Sequence, residues 1–412
     1  MSANVSGEGR TAALRAPAEA LHLILRRVST APAEPVPLRE ALGRMLAQDV
    51  VSNDDVPGFD NSAMDGFALR ASDTAGATEA APADLSLVGE SRAGAPFSGP
   101  LEPGQAVRIS TGAMLPPGSD AVLRVEDAHE AGGKVSATRP LDPGREVRRA
   151  GDDITAGDVV LRTGTRVGAA ELGVAASTGA AELACARRPT VAVVVTGDEL
   201  VEPGAPLRAG AIRNTNGYVV PAQVAAAGGE VVSVETVGDD YAETVATLRR
   251  ALAADVVVST GGVSVGAHDH VKAALAELGV EEVFWGVALR PGHPTWFGTA
   301  GPVLVFGLPG NPVSAMVTFH LFARPALDRM LGNRRARRRA AAVIDTDYRK
   351  RPGRAHVVRC TLEAGKDGWH VRPTKEQGSH VFTSMLGAEA FAFIEVERGD
   401  VAAGELVEIE IL

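Results

Sequence analysis

Three stretches decide the fold: PTVAVVVTGDEL (residues 189–200), DVVVSTGGVSVG (255–266) and PVLVFGLPGNPVSA (302–315). Each is a short Val-rich run that ends in glycine and leads toward residues suited to a helix start. A strand with one wet face alternates apolar and polar side chains, so unbroken apolar runs mean strands covered on both faces. Between them, residues 218–227, 241–253, 268–278 and 312–331 carry helical spacing, and 231–236 and a pair near 284–297 and 303–306 read as further strands. The alternation predicts a doubly wound, mostly parallel α/β domain over 189–331.

Outward from this unit the texture changes. Residues 51–149 and 340–412 consist of short Val, Ile and Leu runs broken by Gly and Pro, which predicts a β-rich domain before the α/β unit and a small β-barrel after it. In residues 18–50, Leu21, Leu23, Ile24 and Val28, then Leu38, Leu42 and Leu46, recur near helical spacing and predict two helices. Together with 150–188, which holds a strand near Val159 and a helix over 168–177, they form a helical linker domain. Residues 1–17 are expected to be a mobile tail.

At about 150 residues per domain, 412 residues accommodate several domains. The 45% hydrophobic and 22% charged content excludes wholesale disorder. Lys and Arg total 41 against 51 Asp and Glu, and a formal charge of -10 gives no reason to expect nucleic acid as a partner. The one basic run, Arg334 to Arg339, reads as a solvated face between domains. Cys185 and Cys360 are far apart and without CxxC spacing, so neither a disulfide framework nor a cysteine zinc site is expected, and a reducing cytoplasm fits. No apolar run approaches the roughly 20 residues of a membrane helix, and the first residues lack a secretory apolar core.

In an open α/β sheet, ligands sit beyond the carboxyl ends of the strands, so the loops after Val195, Ser259 and Phe306 should converge on one crevice. The first carries Gly197, Asp198 and Glu199, and the second Gly261, Gly262, Ser264 and Gly266. The third carries Pro309, Gly310 and Asn311 ahead of Pro312, a favoured first helical residue. Glycine loops at helix starts present N–H donors to phosphate. The expected ligand is an extended anion with more than one phosphate-like group. Glu199, Asp239 or Asp240, and Asp269 would repel it unless a hard divalent cation such as Mg²⁺ intervenes. His268 and His270 read as surface or capping residues. Ser314 and His320 lack a recognisable acid partner for a hydrolase triad.

The motifs PGFDNSAMDGFA (57–68), RISTGA (108–113), GDDITAG (151–157), VTGDEL (195–200), NTNGY (214–218), STGGVSVGAHD (259–269), RPGHP (290–294), GLPGNPVSA (307–315) and GSHVFTSM (378–385) occur in one order along the chain. In these the sequence resembles the molybdopterin molybdenumtransferase family, which includes bacterial MoeA proteins and the gephyrin E domain, from about Leu21 to Leu412. The resemblance implies an enzyme that hydrolyses adenylylated molybdopterin, releases AMP and inserts molybdate into the dithiolene with a divalent cation. It assigns functional positions to Asp65, Thr111, Arg148, Asp153, Glu199, Asp239 and Asp269. It sets Ser264, Arg290, Arg359 and Ser379 near the pterin phosphate or the molybdate, and adds Asn216 to the pterin-binding loops. It further implies a homodimer whose site is shared, with Asp65 and Thr111 approaching the partner's crevice, and a molybdopterin adenylyltransferase as supplier. Gly286 stands where many members have Lys or Arg, and His293 where many have Lys; His293 is expected to meet molybdate as a titratable cation. Two other readings compete. An adenylyltransferase would look like the isolated α/β domain, against which the flanking regions count; a dimeric scaffold would not need the whole acidic and glycine set.

Overall fold

A computed structural model describes residues 14–262, 270–333 and 338–412. Its centre is a six-stranded sheet in the order Glu230–Val237, Thr190–Thr196, Val256–Thr260, Val303–Leu308, Trp296–Ala300, Glu281–Trp285, with the first four strands parallel and Trp296–Ala300 antiparallel to both of its neighbours. The Val runs are buried on both sides, because successive side chains of a strand point to opposite faces. Val191, Val193, Val256 and Val258 meet helix Asn216–Ala226 and the last helix through Val220, Val224 and Phe322. Ala192, Val194, Val257 and Val305 meet helices Tyr241–Ala251 and His270–Glu277 through Leu248, Val271 and Leu275. The fold is therefore the doubly wound α/β arrangement that the runs require. The last helix begins at Pro312 and continues to Met330 through a π turn at Phe319–Ala323, next to Pro325, which has no N–H to donate.

The carboxy-terminal strands close into a five-stranded barrel. Ala355–Gly365 pairs with both Gly368–Pro373 and Ala390–Ile394, and Arg339–Ile344 and Leu406–Ile411 complete the ring. A short segment of the α/β unit, Leu289–Arg290, adds in parallel to Ala355 and His356 and so hangs Arg290 beside the barrel. The apolar core runs without a break from Phe319 and Phe322 of the last helix to Val357 and Phe391 of the barrel. Across the same seam the buried His320 Nε2 lies 2.8 Å from Glu410 Oε1. His320 thus has an acid partner that its sequence neighbourhood does not reveal, but among the described residues no hydrogen bond joins it to Ser314. Arg339 pairs with Glu408 and stacks on Phe393, so this end of the basic run is tied to the barrel; Arg334–337 lie outside the described residues.

The amino-terminal half has a second six-stranded sheet, in the order Ala121–Arg124, Gly66–Leu69, Gln105–Ile109, Ala83–Ser91, Lys134–Ala137, Ala128–Ala131. Two sequence expectations fail in the preceding residues. The first helix, Pro17–Leu25, forms, but the second does not: Ala33–Pro37 is a strand paired with Glu182–Ala186, followed by a single 3₁₀ turn at Leu38–Glu40. Pro35 and Pro37 fix extended backbone, and Leu42 of the supposed apolar face is 62% exposed. The expected tail is too long as well. Arg15 forms a bridge to Val287, its N–H donating to Gly286 O at 3.1 Å and its carbonyl accepting from Ala288 at 2.8 Å.

At the sheet edge opposite the crevice, Asp255 accepts both arms of Arg187 at 2.9 Å and the N–H and hydroxyl of Thr190 at 2.8 Å. The Arg187 fork, and then Thr190, hold its carboxyl down at about 2 against a reference of 3.8, with burial opposing. A depressed carboxyl stabilises the fold above the unfolded value and loses that contribution as pH falls through the folded one. Side-chain exposures of 36% and 27% reduce the full conversion to roughly 1 kcal/mol. Asp255→Asn should cost about that much at neutral pH in urea titrations, with the difference from wild type shrinking between about pH 4 and pH 2.

Candidate functional site

The parallel strands end at Thr196, Val237, Thr260 and Leu308, and the loops that follow surround a cavity of about 480 Å³. Its walls include Gly197, Glu199, Asn216, Asp239, Gly261, Gly262, Pro309, Gly310 and Asn311. Gly261 and Gly262 have φ of 86° and 62°, where an L side chain is strained. A Cβ on Gly261 would stand 2.8 Å from the Thr196 carbonyl oxygen. Two buried polar atoms of the wall have no hydrogen-bond partner among the described residues, Asn216 Oδ1 and Thr260 Oγ1. The amide of Asn216 is already spent on Gly310 O at 2.8 Å, so its free oxygen is held in place. Unpaired buried groups cost stability unless something satisfies them, and both residues belong to the cavity lining. Thr260 was not singled out in the sequence; its signal is a hydroxyl immediately before a glycine pair at a strand end.

The acidic residues divide. Glu199 and Asp239 line the crevice. Asp240 does not, since its carboxylate caps helix Tyr241–Ala251 by accepting the Glu243 N–H at 2.8 Å. Asp198 is a correction to the expectation that both acids of the first loop meet the crevice. Its Oδ1 accepts the Asp239 N–H at 3.0 Å, so it shapes the loop that presents Asp239. Ser264, Gly266, His268 and Asp269 lie outside the described residues; His270 packs edge-on against Tyr241. Among the described residues no three acidic, His or Cys side chains form a metal cluster.

A second cavity, of about 760 Å³, adjoins the first through Pro294, Pro309 and Asn311 and lies between the α/β unit and the barrel. Arg290, His293, Arg349, Arg354, Lys375 and Ser379 line it. Asn311 Nδ2 reaches Ser379 Oγ at 3.3 Å and joins the two chambers' walls. His293 Nδ1 lies 3.3 Å from the Val287 carbonyl oxygen, which favours a proton on Nδ1. In that tautomer Nε2 donates a hydrogen bond only when the ring is charged. Gly286 has φ of 83° with Leu14 and His293 against it, a backbone that suits glycine better than a long cation.

Arg359 does not line either chamber, contrary to the position near the anion expected for it. It is fully buried, with Nη2 and Nε donating to Ser384 Oγ at 3.0 and 3.2 Å and Nη2 to Gly378 O at 3.3 Å. Burial holds its pKa below the ordinary guanidinium value. It acts from behind, fixing the loop that carries Ser379.

Asp65, Thr111, Arg148 and Asp153 are exposed and line neither chamber. Their loops are stitched together around residues 56–65: Asn61 bridges to Met114 and pairs with Arg148, and Val56 bridges to Ile154. Asp65 Oδ1 accepts from Thr111 N–H at 2.7 Å and Thr111 Oγ1 at 3.1 Å. The protein thus carries two separate groups of expected residues.

Residues 15–179 match the MoeA N-terminal region (domain I and II), residues 192–329 a probable molybdopterin binding domain, and residues 341–412 the MoeA C-terminal region (domain IV). The molybdopterin molybdenumtransferase of Haemophilus influenzae is 39% identical over 90% of this chain and 92% of its own length. Molybdopterin molybdenumtransferase 2 of Mycobacterium tuberculosis is 43% identical over 72% of this chain and 75% of its own. A crystal structure of a molybdopterin biosynthesis MoeA protein from Pyrococcus horikoshii superposes with a TM-score of 0.84 at 33% identity, covering 97% of this chain and 99% of that one. With three family regions laid end to end and relatives of this likeness spanning nearly its whole length, the chain belongs to the molybdopterin molybdenumtransferase (MoeA) family.

Proposed function

We propose that the chain is a molybdopterin molybdenumtransferase that converts adenylylated molybdopterin and molybdate to molybdenum cofactor and AMP. The carrying observation is the pair of joined chambers. One has glycine loops suited to an extended phosphate ester, and the other is lined by Arg290, His293, Arg349, Arg354 and Lys375, suited to an oxyanion. In this reading water cleaves the phosphoanhydride into AMP and the pterin phosphate, and the dithiolene sulfurs take up molybdenum as oxide leaves as water. The Gly261–Gly262 and Pro309–Asn311 loops orient the phosphates, and Arg290, His293 and Ser379 hold the molybdate.

Glu199 and Asp239 are hard oxygen donors on one wall, a set that fits Mg²⁺ completed by substrate and water oxygens, with Asp269 as the further expected ligand. Bound there, the cation would neutralise phosphate charge. Asp65, Thr111, Arg148 and Asp153 would serve the partner subunit's crevice in a homodimer. A cytoplasmic setting, with an adenylyltransferase as supplier, completes the reading; no described helix is long and apolar enough to cross a membrane.

The test supplies the purified protein either with adenylylated molybdopterin and molybdate or with molybdopterin and ATP. AMP release and cofactor formation only with the first pair, lost in EDTA and restored by Mg²⁺, are expected. Adenylylation with the second pair would overturn the reading in favour of an adenylyltransferase, and full turnover in EDTA would remove the metal.

Thr260→Val removes a buried hydroxyl without a partner among the described residues, so thermal stability should hold or rise slightly. The KM for the adenylylated substrate should rise by about tenfold, the worth of one hydrogen bond to a charged group. A stability loss with unchanged KM would make the hydroxyl structural.

A further inference from the structure

Behind the second chamber lies another concavity, of about 770 Å³, that the proposed chemistry does not use. Residues 349–354, RKRPGR, lead into barrel strand Ala355–Gly365, and the pairing of Leu289–Arg290 with that strand brings Arg290 to face them. Arg290, Arg349, Arg351 and Arg354 all line the concavity. None of these four guanidinium groups has a hydrogen-bond or ion-pair partner among the described residues, in a chain whose net charge is -10.

The remaining wall does little to neutralise them. Asp400, the one carboxylate in the lining, accepts the Lys350 N–H at 2.7 Å. The Lys350 ammonium is buried against the Val396 and Arg398 carbonyls, at 3.1 Å from the former. His356 is buried and takes the Tyr348 hydroxyl at 3.0 Å on Nδ1. Burial first, then Arg290, Lys350 and Arg354, push its pKa down to about 4, so it stays neutral at pH 7, as expected in a positive field. Like charges gathered in one concavity repel each other unless an anion joins them, and guanidinium forks match tetrahedral oxyanions.

We propose that this concavity is an oxyanion site, separate from the crevice, that holds a tetrahedral dianion of the molybdate and phosphate class. Arg290, Arg349 and Arg354 line both this concavity and the second chamber, so an anion bound here is one side chain away from the chamber that receives molybdate. Arg351 lines only the outer concavity. The site stands on this geometry alone; naming molybdate as its natural anion rests on the function proposed above.

Isothermal titration of the full chain without pterin, using molybdate, inorganic phosphate and AMP as separate probes, tests it. Wild type should show two classes of molybdate site per chain. Arg351→Ala should weaken one class by about tenfold and leave the other, Arg351→Glu should abolish it, and Arg351→Lys should keep most of it. An Arg351-sensitive class seen with AMP or phosphate and not with molybdate would keep the site and assign it to the phosphate product. Isotherms for all three probes that ignore Arg351 would overturn it. Anion binding here by a chain that makes no cofactor would sink the function and spare the site; cofactor formation with Arg351-insensitive binding would do the reverse.

Discussion

Asp65→Asn and Glu199→Gln chains should each lose at least about a hundredfold in molybdate insertion, and mixing them should restore activity. Glu199 is on the crevice wall, whereas Asp65 sits among exposed loops of the amino-terminal half, bound to Thr111 and lining neither chamber. If two chains each lend those loops to the other's crevice, a heterodimer has one site with both substitutions and one with neither. Random exchange makes half the dimers heterodimers, so recovery should approach roughly a quarter of the wild-type rate. Both variants should fold normally, because both side chains are exposed. Confirmed heterodimers without recovery would confine each crevice to one chain and leave Asp65 without a catalytic role.

Gly261→Ala should be nearly as damaging, through geometry alone. The new methyl would sit at φ 86°, 2.7 Å from Thr196 Oγ1 and 2.8 Å from Thr196 O. The hydroxyl can rotate away, but the carbonyl belongs to strand Thr190–Thr196 in the middle of the sheet. The loop must therefore move, and with it the N–H groups proposed to orient the phosphates. A displacement near 1 Å at such a site costs on the order of a hundredfold in rate. A positive-φ alanine and the contact together should also remove about 1–3 kcal/mol of stability. Turnover and urea midpoints measured on one preparation separate the two effects. Wild-type turnover in the variant would show that the loop's position is not used.

The α/β unit was legible because burial on both faces leaves an unmistakable pattern: Val193, Val194, Val256, Val257 and Val258 have nowhere to be but inside. The glycine loops were legible for a related reason, since positive φ at Gly261 and Gly262 restricts which residues can stand there. The spacing of Leu38, Leu42 and Leu46 misled because two prolines and a strand partner some 150 residues away outweigh a helical period. Arg359 illustrates a second limit. Arginine beside an anion motif reads as a ligand, and only the closure of the barrel shows that the side chain points inward to Ser384. The outer cluster of guanidiniums was hidden because Arg290 and Arg354 meet through the pairing of Leu289–Arg290 with the barrel strand, which no local pattern encodes.

The unbroken core between the last helix and the barrel means that these two parts share one folding transition. Phe319, Phe322, Val357 and Phe391 are buried in the same cluster, and His320 and Glu410 are desolvated only while the two parts touch. Neither half can melt alone without wetting the other's interior and stranding a buried polar group. The barrel is thus a structural condition for the α/β unit that carries the crevice, as well as a wall of the second chamber. A chain ending at the last helix would present an apolar surface to water and to its neighbours, and its natural fate would be association.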